Sequence, residues 1–120
     1  MTSGDKSIKD SGVSVALCTC PPAEAERLAA LVVEGGLAAC VNVLPSVRSV
    51  YRWEGKLEKE EESLLLIKTP TAGFSALRDV LAEAHPYDVP EVIGLDVSDG
   101  LPAYLEWVLG AAAEGEAADA

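Results

Sequence analysis

Between Leu37 and Thr69 the pattern repeats every second residue: Val41 and Val43, then Val47, Ser49, Tyr51 and Trp53, a turn near Glu54-Gly55-Lys56, then Leu64, Leu66 and Lys68. Successive side chains of a strand point to opposite faces, so this alternation specifies two long antiparallel strands joined by a tight turn. Pro45 lies inside the first strand and has no N–H to give a ladder, so it demands a sheet edge or a bulge. If Leu37 to Trp53 is one strand, its roughly 17 residues at about 3.3 Å each reach roughly 55 Å. A domain of about 100 residues has a radius of gyration near 13 Å and a diameter of roughly 35 Å, so the hairpin either bends sharply or projects by about 20 Å. A projecting hairpin leaves unpaired edges carrying Tyr51 and Trp53, which pairing with another copy of the chain would satisfy. The competing arrangement, in keeping with ordinary strand lengths, is a strand broken at Pro45 that folds back on its own sheet.

The flanking segments complete a single α+β domain. Val13–Thr19 is a short apolar, β-branched run stopped by Pro21 and Pro22, which fits a buried strand followed by a helix start. Ala25, Leu28, Ala29 and Val32 then recur at helical spacing up to Gly35 and Gly36, an amphipathic helix with a glycine stop. After the hairpin, Phe74, Leu77, Val80, Leu81 and Ala84 mark a second helix, with Thr71 as its cap and Pro86 ending it. The run 91–98 reads as a further strand, and 101–113 as a last helix with Pro102 near its start. The order β-α-β-β-α-β plus a terminal helix is a ferredoxin-like sandwich, one sheet covered by two helices. Residues 1–12 read as a flexible leader, 13–113 as the domain and 114–120 as a disordered acidic tail.

Charge narrows the partners. Nine Lys and Arg against twenty Asp and Glu give a formal charge of -11. That field repels nucleic acid phosphates and anionic lipids and gathers cations, so nucleic acid and membrane partners are not expected. The polar N-terminus has no apolar run behind it, and no stretch approaches the roughly 18 apolar residues of a membrane helix, so the expected location is cytoplasmic. Cys18, Cys20 and Cys40 contain no CxxC pair, which suits reduced thiols and predicts no structural disulfide.

Four stretches can now be read together: VALCTCPP before the first helix, GLAACVNVLP after it, YRWEGKLEKEEESLLLIKT through the hairpin, and HPYDVPE after the second helix. In this order and at these spacings the sequence closely resembles the CutA family of divalent-cation tolerance proteins over roughly residues 13–110. The resemblance implies a tight cytosolic homotrimer of ferredoxin-like subunits, long hairpins pairing between them, PII-like trimer architecture, and copper binding. It makes Cys18 and His85 the metal-ligand candidates, thiolate and imidazole being a donor set that suits copper. The family's fuller copper set includes a histidine immediately before the HPY motif, where this chain has Ala84. Tyr51, Trp53, Glu62, Lys68, Tyr87 and Glu91 match motif positions and are candidates to line a cleft between subunits.

The same residues have plainer readings. Cys20 lies two residues from Cys18, on the same strand face, and would supply a second thiol; Cys18 and Cys40 alternatively fill the core as small hydrophobes. His85 alternatively satisfies the last carbonyls of the second helix before Pro86 turns the chain. Tyr51 and Trp53 alternatively anchor a packed interface in which a buried Lys and Glu pair. The run 58–62 reads as a solvated strand end whose negative charge blocks unwanted edge pairing. Asp88 or Glu91 beside His85 could orient a base for Cys18, but no GxSxG, HExxH or phosphate-binding glycine loop is present, so a binding protein and not an enzyme is expected. The second functional reading is a PII-like regulatory or scaffolding trimer that takes a small molecule at the cleft, and the third a structural trimer with no ligand.

Overall fold

The computed structural model describes residues 10–119, with side chains through 112. Strand β1 (Val13–Cys20) leads through a 3-10 turn (Pro22–Glu24) into helix α1 (Ala25–Glu34). Strands β2 (Cys40–Trp53) and β3 (Lys56–Pro70) form the hairpin, and a second 3-10 turn (Thr71–Gly73) opens helix α2 (Phe74–Ala84). Strand β4 (Ile93–Asp96) and helix α3 (Pro102–Asp119) close the chain. The sheet order is β2-β3-β1-β4 with every pair antiparallel, the expected ferredoxin-like α+β arrangement.

One face of the sheet makes the core. Cys18 pairs with Leu65 and Ala16 with Ile67, and both pairs sit with Leu28 and Val32 of α1 and Leu77 and Leu81 of α2. All of these side chains are fully buried. Helix α1 ends where its glycines permit: Gly36 takes φ 75, and the Leu37 and Ala38 N–H groups return to the Val32 carbonyl.

The hairpin settles the opening alternatives. β2 runs on through Pro45 instead of folding back, because a bulge absorbs it: Leu44 pairs with Leu64, Val47 with Glu62, and Pro45 and Ser46 both face Ser63. Ser46 has φ 61, the left-handed region. The extra residue switches the phase of the alternation. Val41 and Val43 share the face of Ile67 and Leu65, whereas Val47, Ser49, Tyr51 and Trp53 share the face of Leu64 and Glu62. Glu54 and Gly55 close the turn at φ 51 and 80, the two positive φ values of a type I′ turn. The 14 residues of β2 reach about 46 Å at strand rise, and the molecule measures 50 × 40 × 22 Å with a radius of gyration of 15.9 Å.

Several expectations are corrected. The strand begins at Cys40, not Leu37, because 37–39 complete the turn out of α1. Thr71 does not cap α2: the N-cap is Gly73, without a side-chain bond, and the Thr71 hydroxyl pairs with that of Ser14 at 2.8 Å. Residues 1–9 of the expected leader lie outside the described residues, but Ser11 and Gly12 are tied in, Ser11 Oγ to the Val97 carbonyl at 2.5 Å and the Gly12 carbonyl to Thr71 N–H. Helix α3 continues through 114–119, the stretch expected to be a disordered tail, since Ala and Glu are good helix formers.

Candidate functional site

Loop 85–92 has to travel from the helical layer to edge strand β4, and in doing so it passes the end of β1. Pro86 and Pro90 restrict its backbone, and His85 anchors its start. The His85 N–H closes α2 on the Leu81 carbonyl at 2.9 Å. Its ring is buried and used at both nitrogens: Nδ1 accepts the Tyr87 N–H at 3.1 Å, so the proton sits on Nε2, which donates to the Thr19 carbonyl at 2.8 Å. The ring also packs on Tyr87, centroids 4.7 Å apart. The final helical carbonyl, Ala84, is taken by Arg27 of α1 at 2.9 Å.

That anchor swings Tyr87 toward the hairpin, where its hydroxyl donates to Glu62 Oε2 at 2.8 Å. Between loop and hairpin lies a half-open cavity of about 600 Å³. Its aromatic walls are Tyr51, Trp53 and Tyr87, and its carboxylates are Glu60, Glu62, Asp88 and Glu91. Thr19, Ser49, Val50 and Val89 complete the lining, and among the described residues no basic side chain takes part. Tyr51 donates to Glu60 Oε1, and this bond, ahead of burial and the neighbouring carboxylates, pushes the phenol up to about 12. The Tyr87 phenol is raised by burial first, then by its bond to Glu62. Thr19 Oγ1 reaches Glu91 Oε1 at 3.5 Å.

The fold therefore gathers five of the six cleft candidates, Tyr51, Trp53, Glu62, Tyr87 and Glu91, around one cavity. Lys68 is elsewhere. It pairs across the ladder with Cys40 and donates to Asn42 Oδ1 and Cys40 Sγ within the chain. Nor is the run 58–62 wholly solvated: Glu62 is 5% exposed, because the loop closes over it. Glu60 and Asp88 line the cavity although the sequence reading gave them other places, Glu60 in the solvated run 58–62 and Asp88 beside His85. Glu60 carried a signal, since it lies two positions from Glu62 and so shares its strand face.

Cys18 and His85 are both buried in the chain. Cys18 lies in the core, where burial, then Cys20, Glu91 and Glu62, push its thiol up to about 12. The lone pair of His85 is spent on Tyr87 N–H. Cys20 does share the face of Cys18, but it too is buried with a raised pKa, through burial and then the charge of Glu62. Cys40 is only half-buried, not core-packed, and all three thiols are free. Among the described residues no group of three or more His, Cys, Asp or Glu side chains is placed to hold a metal ion.

A ferredoxin-like chain with an overlong hairpin and a cleft beneath it belongs to a PII-like fold class, and solved structures superpose on it. CutA from Xylella fastidiosa matches with a TM-score of 0.81 at 42% identity, covering 83% of this chain and 97% of that one. CutA from Nostoc sp., described as a PII-like protein in apo form, matches with a TM-score of 0.79 at 38% identity over 82% and 96%. Residues 14–111 match the family model of the CutA1 divalent ion tolerance protein. The divalent-cation tolerance protein CutA of Thermus thermophilus is 43% identical over 95 residues, 78% of this chain and 92% of the relative. The mouse protein CutA is 47% identical over 97 residues, and the chain spans about half of its length, 55%. The chain belongs to the CutA family.

Proposed function

We propose that this chain works as a cytoplasmic homotrimer that binds divalent cations, copper among them, and contributes to tolerance of metal ions. The observation that carries the reading is where the exposed apolar side chains lie. Ile93 and Leu95 on β4, and Val50, Trp53 and Leu57 on the outer hairpin, are about half exposed or more, and they stand on strands with a free ladder edge. β1 pairs with β3 only from Ser63 to Pro70, so the β3 edge from Lys56 to Glu62 has no β1 neighbour. Apolar side chains beside open backbone groups fit the edge of another subunit. Three free thiols suit a reducing compartment.

No three-donor group lies within the described part of one chain, so this reading requires metal donors from more than one subunit. Light scattering and calorimetric Cu(II) titration test it together. The expected mass is three chains, with copper bound by the trimer and lost when Leu95→Lys separates the subunits. Cys18→Ser and His85→Ala should leave copper affinity unchanged. A monomer at micromolar concentration, or full copper affinity in the separated subunit, would contradict the proposal.

A second reading, a PII-like regulatory trimer with a small molecule in the cleft, draws on the cavity itself. Its volume of about 600 Å³ lies within the range of ligand sites, and its walls are aromatic. Crystals of the trimer soaked with candidate ligands test this reading: density against Trp53 and Tyr87 supports it, and a cleft filled by a neighbouring subunit's side chains removes it.

A further inference from the structure

We infer that the cleft between the outer hairpin and loop 85–92 takes an organic cation with separated positive charges, an aliphatic diamine or polyamine. The inference rests on the small-molecule reading of the cleft and gives that ligand a chemical class. Charge excludes anions first: Glu60, Glu62, Asp88 and Glu91 line the cavity, and among the described residues no Lys, Arg or His does. Size and spread then disfavour a bare metal ion. The cavity of about 600 Å³ could hold many waters, and its carboxylates do not converge as a three-donor group among the described residues. Four carboxylates that do not converge on one point match several positive charges carried on one chain better than a single ion.

The walls point the same way. Tyr51 and Trp53 project from β2 and Tyr87 from the loop, and aromatic faces attract ammonium groups while covering the methylenes between them. Glu62 supplies the most specific contact. It is 5% exposed and its Oε2 accepts the Tyr87 hydroxyl, which holds the carboxylate in place at the wall of the cavity. A carboxylate accepts a charge-assisted bond from an ammonium group more strongly than from a neutral donor.

Calorimetric titration of the full chain with spermidine and putrescine tests the inference, with Mg2+ and ATP as comparison probes at constant ionic strength. The expected result is saturable spermidine binding, weakened about tenfold or more by Trp53→Ala and by Glu62→Gln and unchanged by Glu83→Gln on the outside of α2. Trp53 is half exposed, and light scattering on its variant separates loss of binding from loss of assembly, so the test stays decisive if the Glu62 variant does not fold. Equal weakening by Glu83→Gln, or full displacement by Mg2+, would identify diffuse attraction to an acidic surface and overturn the inference. ATP binding without spermidine binding would overturn the amine class and leave the small-molecule reading standing. No binding by any probe, with the cleft seen filled by a neighbouring subunit, would end both.

Discussion

His85 shows how a residue with apparent chemical potential can be consumed by structure. Its two nitrogens join the loop at Tyr87 to the end of β1 at Thr19, so its removal should act on stability and not on chemistry. His85→Ala is expected to lower unfolding free energy by about 2–3 kcal/mol, as measured by denaturant titration, through two lost hydrogen bonds and a cavity. Cys18 gives a second prediction at this scale. Its pKa rises from 9.0 to about 12, and that of Tyr51 from 10.0 to about 12. Between those values the native state keeps protons that the unfolded chain has released, so stability is intact below about pH 9 and falls as pH rises toward 12. Unfolding midpoints measured at intervals across this window should decline from about pH 9, and Cys18→Ala should flatten the first part of the decline; a level curve would refute the assignment.

At the scale of elements, the bulge in β2 decides what the hairpin presents. With Pro45 and Ser46 opposite Ser63, Tyr51 and Trp53 face the cleft with Glu62. Deleting Ser46 should remove the extra residue and its kink while leaving Tyr51 opposite Glu58 and Trp53 opposite Lys56, on the cleft face. The Tyr51–Glu60 bond should then persist, and a spectrophotometric tyrosine titration should still show one phenol at about 12. A phenol returning toward 10.0 would mean that the outer hairpin has slipped register instead. The contact of β4 with α2 is equally specific, because a Cβ on Gly94 would meet the Phe74 ring at 2.8 Å. Gly94→Ala is expected to cost about 1–3 kcal/mol in the same denaturant assay.

For the whole molecule, the single chain is too extended for its length. Its radius of gyration of 15.9 Å exceeds the roughly 13 Å of a compact domain of about 100 residues, and the excess follows the hairpin. The proposed trimer would cover the exposed edges this shape creates. Leu95→Lys places a charge on half-exposed β4, outside the core of Leu28, Leu65, Ile67 and Leu77. It should reduce the mass seen by light scattering while leaving the far-ultraviolet circular dichroism of the subunit intact. Loss of both together would show that the subunit folds only as an assembly.

The order of elements, the hairpin and its bulge, and the glycine stop of α1 were legible in the sequence because each follows from local rules: period, φ preference, and the missing N–H of proline. The aromatic and acidic members of the site were legible only as a set of residues. Their placement depends on contacts between segments distant in sequence, such as Tyr87 with Glu62 and His85 with Thr19, which no local pattern encodes. Lys68 was assigned to the cleft but sits with Cys40 and Asn42, since its position follows strand register. The sequence by itself determined the fold, because backbone geometry and apolar periodicity act over a few residues. Only the tertiary structure decided that His85 bridges Thr19 and Tyr87, that Cys18 lies in the core and that the carboxylates line a cavity, because hydrogen bonding and burial are properties of the assembled surroundings.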